Sequence, residues 1–115
     1  MKYMLLIYGD EARWGTSTAE EREAGFQLYT DYSKWLVDQG WFSAGDALQS
    51  TDQATTVRVK DGKTLTTDGP FAETKEQLGG YYIVECDNLD QAIEAAAKCP
   101  GAQHGSMEVR PLMDM

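Results

Sequence analysis

The sequence predicts an α+β fold, two βαβ units with a β-hairpin set between them, and three observations carry that reading. Strand-like apolar runs stand near both ends of the chain and after residue 79, and two segments carry apolar stripes at helical spacing. Asp61-Gly62 separates two alternating runs, the strongest short hairpin signal there is. At 115 residues the chain is expected to form one domain, residues 1–115, around a single core.

The first element, Lys2 to Tyr8 (KYMLLIY), is a strand stopped by Gly9-Asp10. Tyr3, Leu5 and Ile7 point to one face and Met4, Leu6 and Tyr8 to the other, because side chains alternate along a strand. Both faces are apolar, so something is expected to cover each of them. Glu11 to Thr16 reads as a loop. A helix follows, with a capping box in either of two registers, Ser17 with Glu20 or Thr18 with Glu21. Leu28, Tyr29, Tyr32, Trp35 and Leu36 form its apolar stripe, and Gly40 stops it. Gly25 either permits close packing against the sheet or is simply tolerated.

Trp41 to Leu48 is a second strand with Gly45 as its expected bulge. Ala54 to Lys60 and Lys63 to Thr67 form the hairpin, a polar arm. Gly80 to Cys86 is the next strand; Asn88 then caps a helix expected to bury Leu89, Ala92, Ile93, Ala96 and Ala97, and Pro100-Gly101 ends it. Gly105 to Leu112 closes the chain as a strand, placed at an edge or exit by Pro111. With the hairpin set aside this is the split βαβ order of ferredoxin-like folds, an antiparallel sheet with both helices on one face. Nothing in the sequence covers the second apolar face, and self-association by a two-fold is the economical cover.

A formal net charge of -9, with ten basic residues scattered among nineteen acidic ones, argues against nucleic acid as a partner. No run is long and apolar enough to cross a bilayer, and the start lacks a signal-peptide pattern, so no membrane partner and a cytoplasmic location are expected. Cys86 and Cys99 stand singly, without partners at metal-ligand spacing, and read as buried inert thiols; no metal is expected. There is no P-loop and no G-x-G-x-x-G, and no cofactor is expected.

The one stretch that looks like a signature is Asp68 to Glu76, DGPFAETKE, running on through Gln77 and Leu78 to Gly79 and Gly80. Pro70 fixes its own φ and asks for extended geometry at Gly69; Phe71 is expected to anchor the turn. DGPFAETKEQLGGYYIVE, the opening MKYMLLIYGDE and the closing GSMEVRPL resemble the YCII-related proteins of the DGPF type along essentially the whole chain. The resemblance implies a ferredoxin-like subunit pairing into a dimeric α+β barrel, bacterial origin, and genes often neighbouring extracytoplasmic-function sigma factors. Some YCII-like relatives carry a histidine and an aspartate proposed as a catalytic pair. Here the first helix holds no histidine, so that mechanism does not carry over.

Asp68, Glu73 and Lys75 are the candidate pocket residues. They either line a pocket, where a carboxylate beside an ammonium acts as acid, base or anchor, or serve structure, Asp68 capping the turn while Glu73 and Lys75 pair locally. Asp46, following Gly45, is a further candidate that faces either a cavity or solvent at an edge. His104, the single histidine, reads as a surface residue. Of the tyrosines and tryptophans most are expected in the core, with one or two left for a ligand cavity. Two functions follow: a homodimeric small-molecule-binding or regulatory module, tied through the resemblance to sigma-factor signalling, or a cofactor-independent enzyme of isomerase or oxygenase type. A third, an interaction protein without a ligand, predicts no pocket beneath the signature turn.

Overall fold

The computed structural model describes every residue, Met1–Met115. Its order is β1 (Lys2–Gly9), α1 (Glu11–Gly15), α2 (Ala19–Asp38), β2 (Phe42–Ala47), β3 (Thr55–Lys60), β4 (Lys63–Asp68), β5 (Gln77–Glu85), α3 (Leu89–Lys98) and β6 (Ser106–Pro111), with 3₁₀ turns at Thr51–Gln53 and Pro100–Gln103. Four strands pair antiparallel in the order β2-β5-β1-β6, and β3 and β4 pair only with each other. This is the ferredoxin-like α+β arrangement, with the hairpin as an insertion.

The core lies on one face of the sheet. Tyr3 and Leu5 of β1 and Tyr82 and Val84 of β5 meet Tyr32 and Leu36 of α2 and Ala92, Ala95 and Ala96 of α3, with Cys86 and Cys99 beside them. The Tyr32 hydroxyl donates to the Ala95 carbonyl at 2.6 Å and locks the two helices together. The α2 capping box uses the Thr18–Glu21 register, each side chain meeting the other residue's backbone N–H.

Several expectations are corrected. The expected loop at Glu11 to Thr16 begins with a short helix, because Asp10 caps it by accepting from the Ala12 N–H at 3.0 Å. Five residues are too few to show a period. In α3 the buried face is Ala92, Ala95 and Ala96, while Leu89 and Ile93 stay about half exposed and Ala97 is exposed. The alanines let the helix lie close to the sheet, and closeness outweighs the greater hydrophobicity of Leu89 and Ile93. Leu28 likewise remains exposed on α2. The irregularity of β2 falls between Phe42 and Ala44; Gly45 instead makes room for Tyr82, whose ring carbon Cδ1 would lie 2.6 Å from a Cβ there. Gly25 packs under the ring of Trp14 of α1.

The other face of the sheet is open. Register places Met4, Leu6 and Tyr8 of β1 beside Ile83, Tyr81 and Leu78 of β5, with Ala44 of β2 against Ile83. These side chains are only half-buried, and no helix or strand of the chain packs across them. Glu108 and Arg110 of β6 border the row and form the one ion pair of the molecule, at 2.5 Å.

Candidate functional site

Asp61 and Gly62 both take positive φ, 52° and 76°, so the hairpin turns tightly and brings Asp68 back beside Thr55. The chain then leaves β4 through Gly69, whose φ of +98° only glycine adopts without strain. The extended geometry expected before Pro70 thus gives way to a left-handed turn. One main-chain and one side-chain bond support it: the Gly69 N–H donates to the Ala54 carbonyl at 2.7 Å, and the Gly69 carbonyl accepts from the Thr56 hydroxyl at 2.9 Å.

Beyond the turn the signature segment borders an open cleft of about 710 Å³ at the end of the open face. Tyr8 and Leu78 form its floor, Leu48 and the turn at Thr51–Gln53 one wall, and Pro70, Phe71 and Thr74 the other. Phe71 is 81% exposed, so it is a rim residue of this cleft and not the buried anchor the sequence led us to expect. A smaller cleft of about 350 Å³, sharing Thr51, Thr74 and Gln77 with the first, carries Asp52 and Glu73.

Two residues that sequence reasoning passed over tie these walls together. The Gln77 amide oxygen accepts from the Glu11 N–H at 3.0 Å while its amide nitrogen donates to the Thr74 carbonyl at 2.7 Å. The Glu11 carboxylate in turn accepts from the Thr51 N–H at 3.0 Å and from the Thr51 hydroxyl. The start of α1, the 3₁₀ turn and the signature segment are thereby one hydrogen-bonded frame. The only hint in the sequence was the adjacency of Glu11 to the end of a strand and of Gln77 to the signature.

Glu73 lines the smaller cleft; Asp68 and Lys75 are exposed and line neither. None of the three side chains makes an ion pair or a hydrogen bond within the chain, so neither the turn-capping role of Asp68 nor the local Glu73–Lys75 pair is present. Asp46 sits on the open face, where its carboxylate accepts from the Tyr81 hydroxyl at 2.8 Å. That bond, and then the carboxylate charge, hold the Tyr81 hydroxyl above its ordinary value. His104 is exposed, 3.5 Å from the Arg13 guanidinium.

Apart from Glu21 at the exposed α2 cap, the other displaced groups belong to the core or pack against it. Burial pushes up the hydroxyls of Tyr29, Tyr32 and Tyr82 and the thiols of Cys86 and Cys99. No three of His, Cys, Asp and Glu converge where a metal ion could sit, and no helix is long and apolar enough to cross a membrane.

Comparison with known proteins matches the chain along its whole length. The family model described as the YCII-related domain matches residues 1–115. An uncharacterized protein of Rhizobium meliloti (strain 1021) is 39% identical over 114 residues, which span 97% of this chain and 92% of that protein.

Proposed function

Taking as premise that the chain belongs to the YCII-related family, we propose that it works as a homodimer binding a small molecule in the cleft beneath the signature segment. The observation that carries this is the open face: an unbroken apolar row, Met4, Leu6, Tyr8, Leu78, Tyr81 and Ile83, that the chain leaves uncovered. Such a patch is a cost to a monomer and an asset to a two-fold interface. The shape of the subunit points the same way. Its radius of gyration is 16.0 Å, against about 13 Å for a compact chain of this length, and only 12 of 115 residues are buried. Tyr8 and Leu78 belong both to the face and to the cleft floor, so a second copy seated on the face borders the cleft as well. A regulatory role beside extracytoplasmic-function sigma factors, implied by the family resemblance, would be exercised through the same ligand-responsive dimer.

A thermal-shift screen of a small-molecule library tests the ligand, run on the wild type, Phe71→Ala and Asp68→Ala. Both side chains are exposed, so both variants keep the fold. The reading expects compounds that stabilise the wild type and Asp68→Ala but not Phe71→Ala; compounds indifferent to Phe71, or none at all, contradict it.

One observation favours the second reading, a cofactor-independent enzyme: the Tyr81–Asp46 pair lies on the face a partner would close, and a hydroxyl held by a carboxylate can relay a proton. An enzyme of this kind loses turnover in Asp46→Asn while keeping ligand affinity. A binding module shows no turnover to lose.

A further inference from the structure

We propose that the larger cleft selects a hydrogen-bond-donating, non-anionic ligand, an amine in the first instance, and rejects carboxylates and phosphates. This rests on the reading of the cleft as a small-molecule site. None of the fifteen residues lining it is charged, and the carboxylates of Asp52 and Glu73 line the adjoining smaller cleft. Any ion placed here gives up water without meeting an opposite charge on the lining, but an anion is also repelled by a protein of net charge -9 with Asp52 and Glu73 next to the site, whereas an ammonium is attracted by the same charges.

The hydroxyls sharpen the argument. Four that line the cleft have already given their proton to the protein: Thr51 to the Glu11 carboxylate, Ser50 to the Asp52 carboxylate, Thr56 to the Gly69 carbonyl and Thr74 to the Glu76 carbonyl. A hydroxyl oxygen that has donated keeps only acceptor capacity. The Gln77 amide is engaged at both its oxygen and its nitrogen. What these five side chains can still offer is mainly lone pairs, a few acceptors beside a mostly apolar surface, and acceptors of that kind are matched by N–H donors. Donors on Gln49, Gln53 and Thr55 allow a hydroxyl or amide on the ligand as well. The rings of Tyr8 and Phe71 and the side chains of Leu48 and Leu78 suit a flat apolar body.

Benzylamine, benzyl alcohol, benzoate and phenyl phosphate form a matched probe set: one ring and four head groups. Titration followed by the backbone amide resonances of Thr51, Thr56, Phe71 and Thr74 reports both site and affinity. The expected result is that benzylamine and benzyl alcohol shift these amides, benzylamine binding at least about tenfold more tightly than benzoate. In Gln53→Lys, an exposed position on the cleft wall, benzoate is expected to overtake benzylamine. Benzoate or phenyl phosphate binding the wild-type cleft as tightly as benzylamine overturns the ligand class while leaving the site standing. Failure of all four probes to move these amides overturns the site, and the ligand class with it.

Discussion

The two faces of the four-stranded sheet are made by alternate residues of the same strands, yet they end in different states. Tyr3, Leu5, Tyr82 and Val84 are closed over by α2 and α3, whereas Met4, Leu6, Tyr81 and Ile83, their immediate neighbours in sequence, remain half-buried. Hydrophobicity alone does not tell the faces apart. What separates them is cover: two helices come back over one face, and the insertion that could have shielded the other folds into an independent hairpin. Val57, Val59 and Leu65 are exposed on that hairpin, and two strands alone make a marginal sheet. The unfinished half of the subunit is thus the open face, the hairpin and the cleft together.

The sharpest way to break the comparison is to cut the same volume from each face. Leu36→Ala, at a side chain with no exposure, is expected to lower unfolding free energy by about 2–5 kcal/mol. Leu6→Ala should cost distinctly less in chemical denaturation at dilutions where only single subunits exist. Equal losses would mean that the open face is already as well packed as the covered one.

The next effect concerns the frame around the cleft. Gln77→Ala removes two hydrogen bonds that join α1 to the signature segment, a loss of about 1–3 kcal/mol in all. Hydrogen exchange should quicken at Glu11, whose N–H loses its partner, while amides of the helix-covered core keep their protection. A general speeding of exchange would show the frame and the core to be one cooperative unit.

A smaller effect is expected at the α2 cap, where Thr18→Ala should cost about 1 kcal/mol at neutral pH. The Thr18 N–H, which Thr18→Ala keeps, and then the Thr18 hydroxyl, which it removes, hold the Glu21 carboxyl below its ordinary value, so the hydroxyl's share of that stability is present above the ordinary carboxylate range and lost as pH falls through the lowered value. The gap between wild type and Thr18→Ala melting temperatures should therefore narrow in acid.

The smallest contrast is in titration. On the covered face burial raises Cys99 above its ordinary value of 9.0, whereas on the open face a hydrogen bond and a charge raise Tyr81. A buried thiol that stays protonated while the unfolded chain ionises gives stability that is complete below the ordinary thiol value and is lost as pH rises beyond it. Melting temperature should fall from about pH 8 towards pH 10, and Cys99→Ala should flatten that fall while lowering the curve as a whole.

The sequence was readable where one local cause decides the outcome. The alternation of Lys2 to Tyr8, the Asp61-Gly62 turn and the Thr18–Glu21 box each determine an element by themselves, and each is present. It misled where geometry between elements decides. Which side of α3 faces the sheet depends on how near the helix must come, and Ala95 beats Ile93 for a reason no period contains. Phe71 has the composition of an anchor but a place at a rim. The site was the least legible part, since charge drew the eye to Asp68, Glu73 and Lys75 while the cleft is framed by Glu11, Gln77 and a set of threonines whose meaning lies in their partners.

The claim on which all of this turns is that the open face is one half of an interface. Sedimentation equilibrium at micromolar concentration, on the wild type and on Leu6→Asp, measures it directly. The account predicts twice the 12.8 kDa chain mass for the wild type and the single-chain mass, with helical content retained, for Leu6→Asp. A wild type that sediments as one chain, or a Leu6→Asp variant that stays fully paired, would contradict it.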